Sequence, residues 1–73
     1  METYSAILFH SPNYSIWTAK VLKKAGIENR MIPIPRHLSS DCGYCVRIKR
    51  MDADAALEIM KSNAIEYDKI EEI

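Results

Sequence analysis

The two cysteines are the residues of this sequence best suited to covalent chemistry. Cys42 and Cys45 are the only cysteines among 73 residues, and their spacing is Cys-x-x-Cys. A thiolate is both a nucleophile and a metal ligand. The segment that leads to them also contains polar side chains that could assist such chemistry, namely Arg36, His37, Ser39, Ser40 and Asp41. We therefore look for function first on this segment.

A redox pair is the first interpretation of the spacing. A disulfide requires the two Cα atoms to lie within about 7 Å, whereas three residues of extended strand span about 10 Å. Cys42 and Cys45 could bridge only if Gly43 allows a tight turn between them. A thioredoxin-type pair also stands at the start of a helix, and the sequence predicts no helix here.

A metal site is the second interpretation. One Cys-x-x-Cys motif supplies two thiolates, whereas a structural zinc site takes four ligands. His10 and His37 could complete a set of four ligands, but the sequence contains no second ligand pair at zinc-finger spacing. A site shared between the two chains of a homodimer would supply the missing ligands.

A single reactive thiol at Cys42 is the third interpretation. Arg36 and His37 lie a few residues upstream and would favour the thiolate, while the neighbouring carboxylate of Asp41 would disfavour it. If the loop curls into a nest, backbone amides could cradle an anion beside the sulfur. The residues that would supply these amides are Ser39, Ser40 and Gly43.

The alternative to all three is that the cysteines are small buried hydrophobic residues. Cys45 fits this interpretation better because it falls inside a predicted strand. Cys42 falls at the junction between loop and strand.

Composition excludes several classes of partner. Ten Lys and Arg balance ten Asp and Glu, so the formal net charge is +0. This removes the electrostatic attraction that general nucleic-acid binding and anionic membrane surfaces require. No run is long enough to cross a bilayer, and Met1–Ser5 lacks the features of a signal peptide. We therefore expect a cytoplasmic location, where cysteines stay reduced.

Periodicity and capping signals predict six elements. Ser11 and Pro12 favour a helix start, Gly26 favours its end, and Asp52 is a suitable cap for a second helix. In the third strand, alternation places Cys45 and Arg47 on the face opposite to Tyr44, Val46 and Ile48. The predicted strands are residues 4–9, 29–34, 43–49 and 65–70, and the predicted helices are residues 12–25 and 52–62.

An internal repeat supports this order. Ala25–Glu28 resembles Asn63–Glu66, 38 residues later in the chain. Two strand-helix-strand units that share one sheet predict an α+β, ferredoxin-like βαββαβ fold over residues 1–73, with both helices on one face of an antiparallel sheet. The opposite face would stay uncovered unless something binds it. An open three-stranded α/β sheet is the alternative if the last strand does not pair.

The strings Pro35-Arg36, Ser39-Ser40 and Cys42-Gly43, with Lys24–Ile27 and Ile32-Pro33 before them, carry a family resemblance. The sequence resembles the selenium/sulfur carrier-like family of small prokaryotic domains over nearly its whole length. The resemblance implies that Cys42 is the family's recurring cysteine and Gly43 its glycine. Cys45 falls where members often have a small residue, which implies a packing role or an addition special to this chain.

The resulting functional prediction is a carrier or accessory protein rather than a stand-alone enzyme. Cys42 would accept sulfur or selenium from a donor protein as a persulfide or perselenide and pass it to an acceptor protein, with no metal or cofactor. Arg36 and the loop amides would stabilise the terminal anion, and self-association as a homodimer is compatible with so small a core. The alternative function is a homo-oligomeric small-ligand-binding or regulatory module without covalent chemistry.

Overall fold

Four strands and two helices follow one another in the order β α β β α β. The computed structural model describes residues 3–38 and 43–73. The elements are β1 (Tyr4–Leu8), α1 (Pro12–Lys24), β2 (Asn29–Pro33), β3 (Tyr44–Lys49), a 3₁₀ turn (Arg50–Asp52), α2 (Ala53–Ser62) and β4 (Lys69–Glu72).

The strands form one antiparallel sheet in the spatial order β2-β3-β1-β4. The hydrogen-bonded neighbours of β1 are therefore β3 and β4, and the two strand-helix-strand units interleave. This arrangement confirms the predicted ferredoxin-like α+β fold. The last strand does pair with β1, from Leu8 opposite Lys69 to Ser5 opposite Glu72, so the three-stranded alternative is not formed.

The last strand begins four residues later than the sequence predicted. Ile65, which we expected to start it, instead completes the end of α2, because its amide donates to the carbonyl of Met60 at 2.9 Å. Its side chain is buried, with 6% exposed. The apolar side chain of Ile65 therefore packs into the core at the end of α2 and is not part of β4.

Both helices end in the same hydrogen-bonded motif, which gives the sequence repeat a structural meaning. After α1, the amide of Gly26 donates to the carbonyl of Lys23 and that of Ile27 to Leu22. After α2, Ala64 donates to Lys61 and Ile65 to Met60. This is the Schellman pattern, in which one residue adopts positive φ and the next packs inward. Gly26 has φ +85° and Ala64 has φ +55°.

The helix starts differ from each other. Ser11 caps α1 as predicted, since its side chain accepts a hydrogen bond from the amide of Asn13 at 3.3 Å. Asp52 stands at the N-cap of α2 as predicted, but its side chain makes no capping hydrogen bond. Its backbone lies at φ −95° and ψ 0°, whereas a capping residue is usually extended. Asp52 is also the last residue of the 3₁₀ turn.

The main core lies between the sheet and the two helices. Val46 and Ile48 of β3 point into it, as the alternation predicted, whereas Tyr44 at the strand's start is 50% exposed. The buried residues of this cluster are Ile7, Phe9, Leu22, Ile27, Val46, Ile48, Ala56, Met60 and Ile65.

A second, smaller cluster covers one end of the helix-free face of the sheet. Its buried residues are Ala6, Leu8 and Cys45. Ile32, Ile34 and Leu38 pack against them. The chain that follows β2 therefore supplies its own cover here, because it carries apolar side chains at Ile34 and Leu38. Charged residues on the remainder of this face are Arg30, Arg47, Lys49, Lys69 and Glu71.

Candidate functional site

Residues 34–43, which contain Cys42 and are called the thiol loop below, connect β2 to β3. The structure describes the two ends of this segment, residues 34–38 and Gly43. Ser39, Ser40, Asp41 and Cys42 lie outside the described residues. The preceding end is held by two hydrogen bonds, since the amide of Leu38 donates to Pro35 at 2.9 Å and that of Ile34 to Gly43 at 3.2 Å. The loop therefore has a fixed base beside the second cluster.

Cys45 is completely buried, with 0% of its surface exposed. Cross-strand pairing places it directly opposite Leu8 on one side and Ile32 on the other. Leu38 packs over the same cluster. In this conformation the sulfur is closed to reagents and partners. Cys45 thus occupies the environment of a packing residue.

Arg36 and His37 are exposed in the turn that leads into the loop. Neither side chain forms an ion pair with any residue in the described ranges 3–38 and 43–73. The charge of Arg36 is therefore available to a group on the loop or on a partner.

Gly43 is exposed at the other end of the loop and adopts φ +83°. Side chains other than glycine rarely adopt this left-handed conformation. Among the described residues other than Gly43 and its chain neighbours, no heavy atom lies within 4 Å of the position a Cβ would take. The glycine is therefore needed for the backbone turn, and it leaves open space beside the chain.

His10 and Asp68 lie at the same end of the sheet as the loop. The imidazole Nε2 of His10 is 3.8 Å from a carboxylate oxygen of Asp68, and the Asp68 amide donates to Leu8 at 2.7 Å. Within the described ranges, no three His, Cys, Asp or Glu side chains converge as metal ligands. Because Cys42 is outside those ranges, the metal and redox-pair interpretations remain predictions.

Sequence reasoning missed a pair of arginines farther along the helix-free face. Arg30 of β2 lies directly opposite Arg47 of β3. The guanidinium of Arg47 also lies over the ring of Tyr4, 4.2 Å from its centroid. The alternation in β3 indicated the face of Arg47, but the pair depends on strand register, which no local spacing reveals.

Fold and site together define a small α+β protein of ferredoxin-like architecture, with Cys42 in the stretch of sequence between its second and third strands. Residues 4–72 match the model of the family described as "Putative Se/S carrier protein-like". The chain belongs to this family, which confirms the resemblance drawn from the sequence. No curated protein and no solved structure gave a match. Among the described residues, no helix has the length and apolar character to span a membrane.

Proposed function

We propose that the protein carries sulfur or selenium as a persulfide or perselenide on Cys42. The full burial of Cys45 is the observation that carries this proposal, because it leaves Cys42 as the chain's other thiol for a partner to reach. Membership of the Se/S carrier-like family supports the nature of the cargo.

The transfer needs no external oxidant. The Cys42 thiolate attacks the outer sulfur of a persulfide on the donor protein, and a new S–S bond forms as the donor's S–S bond breaks. The donor leaves as a thiolate. An acceptor thiolate then attacks the outer sulfur on Cys42 in the same way and restores the Cys42 thiolate. Selenium follows the same path through S–Se bonds.

The base of the loop supports this role. Four residues separate Leu38 from Gly43, and both of these residues belong to the hydrogen-bonded base. Cys42 directly precedes Gly43 in the sequence. Arg36, exposed at the same base, provides a positive charge that would favour a thiolate and a terminal persulfide anion.

The same proposal fixes the kind of partner and compartment. A carrier acts between a donor protein and an acceptor protein, and its thiol must stay reduced between transfers. We therefore place it in the cytoplasm, as one domain over residues 1–73.

The test is incubation of the reduced protein with glutathione persulfide under anaerobic conditions, followed by intact-mass measurement. The wild type and Cys45→Ala should each gain one sulfur atom, and Cys42→Ser should gain none. Circular dichroism would verify that each variant is folded. An adduct of equal yield on Cys42→Ser, or no adduct on the folded wild type, would contradict the proposal.

A further inference from the structure

The arginine pair on the helix-free face is energetically unusual. Residues directly opposite across an antiparallel pair have Cβ atoms about 4.5–5.5 Å apart, and like charges in this position destabilise a sheet. Arg30 and Arg47 occupy such a position. The contact between Arg47 and the Tyr4 ring compensates in part, since aromatic faces attract guanidinium groups.

Nearby carboxylates are engaged with other cations. Glu28 pairs with Lys49 at 3.5 Å, Glu71 with Lys69 at 3.9 Å, and Glu72 with Arg50 at 3.1 Å. Within residues 3–38 and 43–73, no ion pair includes Arg30 or Arg47. Glu71 shares their face, but β1 lies between its strand and that of Arg47, a separation of about 9–10 Å.

A cavity of about 140 Å³ opens at this pair. Its lining contains three cationic side chains, Arg30, Arg47 and Lys49, and one carboxylate, Glu28. The lining therefore carries a net charge of 3 − 1 = +2. The other lining residues are Tyr4, Asn29 and Ile48.

Charge and size together select the ligand. A guanidinium presents parallel N–H donors that match the oxygen atoms of phosphate-like anions. The cavity is smaller than the roughly 300–1,000 Å³ pockets that enclose drug-sized ligands. It suits a single tetrahedral group better than a segment of protein.

We propose that Arg30, Arg47 and Lys49 form a binding site for a small tetrahedral oxyanion, either inorganic phosphate or the phosphate of a monoester. The anion relieves the repulsion between the two guanidinium groups, which explains why the sheet tolerates them side by side. The site does not depend on Cys42 chemistry, so it stands or falls separately from the carrier proposal.

The test is a titration of the full-length protein with inorganic phosphate, and in parallel with glycerol 3-phosphate, followed by amide chemical shifts at constant ionic strength. We expect saturable shifts at Arg30, Arg47 and Lys49 that equal concentrations of chloride do not produce. Arg30→Gln and Arg47→Gln should each weaken binding at least tenfold. Lys61→Gln is the control, because it removes an exposed cation of α2 on the helix-covered side of the sheet and should leave the affinity unchanged.

The two ligands distinguish the source of the anion. Similar affinity for both indicates a site for the free anion, and tighter binding of glycerol 3-phosphate indicates a monoester. Three outcomes would overturn the proposal: no response to either phosphate, shifts that do not saturate, or an equal loss of affinity in Lys61→Gln.

Discussion

The cover over Cys45 gives a sharp prediction for Leu38→Ala. Leu38 is partly buried and packs on the cluster that contains the Cys45 sulfur. Complete burial of a leucine side chain is worth about 1.5–3 kcal/mol, so a partly buried one contributes about 1–1.5 kcal/mol. Because 1.4 kcal/mol corresponds to a factor of ten, local opening of the cover should become roughly tenfold more frequent.

The assay is alkylation of Cys45 by iodoacetamide in a Cys42→Ser background, where it is the remaining thiol. Intact-mass measurement against time gives the labelling rate. Leu38→Ala should raise this rate roughly tenfold in native buffer if opening is local and rapid.

Leu57→Ala is the matched control. Leu57 is also a partly buried leucine, but it packs on the helix-covered core. Loss of the Leu57 side chain should accelerate the labelling of Cys45 only through global unfolding. The labelling rate of Leu57→Ala should therefore rise steeply with low concentrations of urea. The rate of Leu38→Ala should depend weakly on urea, because little surface is exposed in a local opening. An unchanged rate in Leu38→Ala, or the same urea dependence in both variants, would refute the reasoning.

Three further predictions concern stability, measured by thermal or urea denaturation. Ala64→Gly should stabilise the fold by about 0.5–1 kcal/mol, because the left-handed conformation costs alanine about 1–2 kcal/mol. For the same reason, Gly26→Ala should destabilise the fold by about 1 kcal/mol. Changes in stability of the same sign for both variants would contradict the shared motif. Thr18→Val should stabilise by about 1 kcal/mol, since the buried Thr18 hydroxyl has no hydrogen-bond partner among the described residues; a loss of stability would reveal a partner. Arg30→Gln should stabilise the fold by about 0.2–1 kcal/mol at low salt, because it removes the repulsion between the two arginines. Arg47→Gln should stabilise the fold less, because it also loses the contact with the Tyr4 ring. Equal gains in stability would contradict the repulsion argument.

Local signals were sufficient for the order of elements. Ser11 and Pro12 set the start of α1 through side-chain and backbone chemistry that operates within one turn. The repeat of Ala25–Glu28 at Asn63–Glu66 predicted two strand-helix-strand units, and the structure shows the same hydrogen bonds at the ends of both helices. Features that depend on neighbours in sequence are the ones that sequence reasoning can recover.

Features set by distant contacts were the ones it missed. Ile65 has the β-branched apolar side chain that favours a strand, but packing and a hydrogen bond at the end of α2 determine its conformation. Leu38 packs over the cluster that contains Cys45, a contact that apolar periodicity does not encode. Likewise Arg30 and Arg47 are 17 residues apart in sequence, and only the register of β2 against β3 makes them neighbours.

Register also relates the arginine pair to the thiol loop. On β3, Arg47 follows Cys45 by two residues and shares its face, so the two positions are about 7 Å apart along the strand. The apolar layer of Leu8, Cys45 and Ile32 therefore lies between the charged cavity and the base of the loop. A partner that reaches the loop across this face would pass over the arginines as well. The helix-free face thus carries both the buried Cys45 and the proposed oxyanion site, while the helices and the main core cover the opposite face of the sheet.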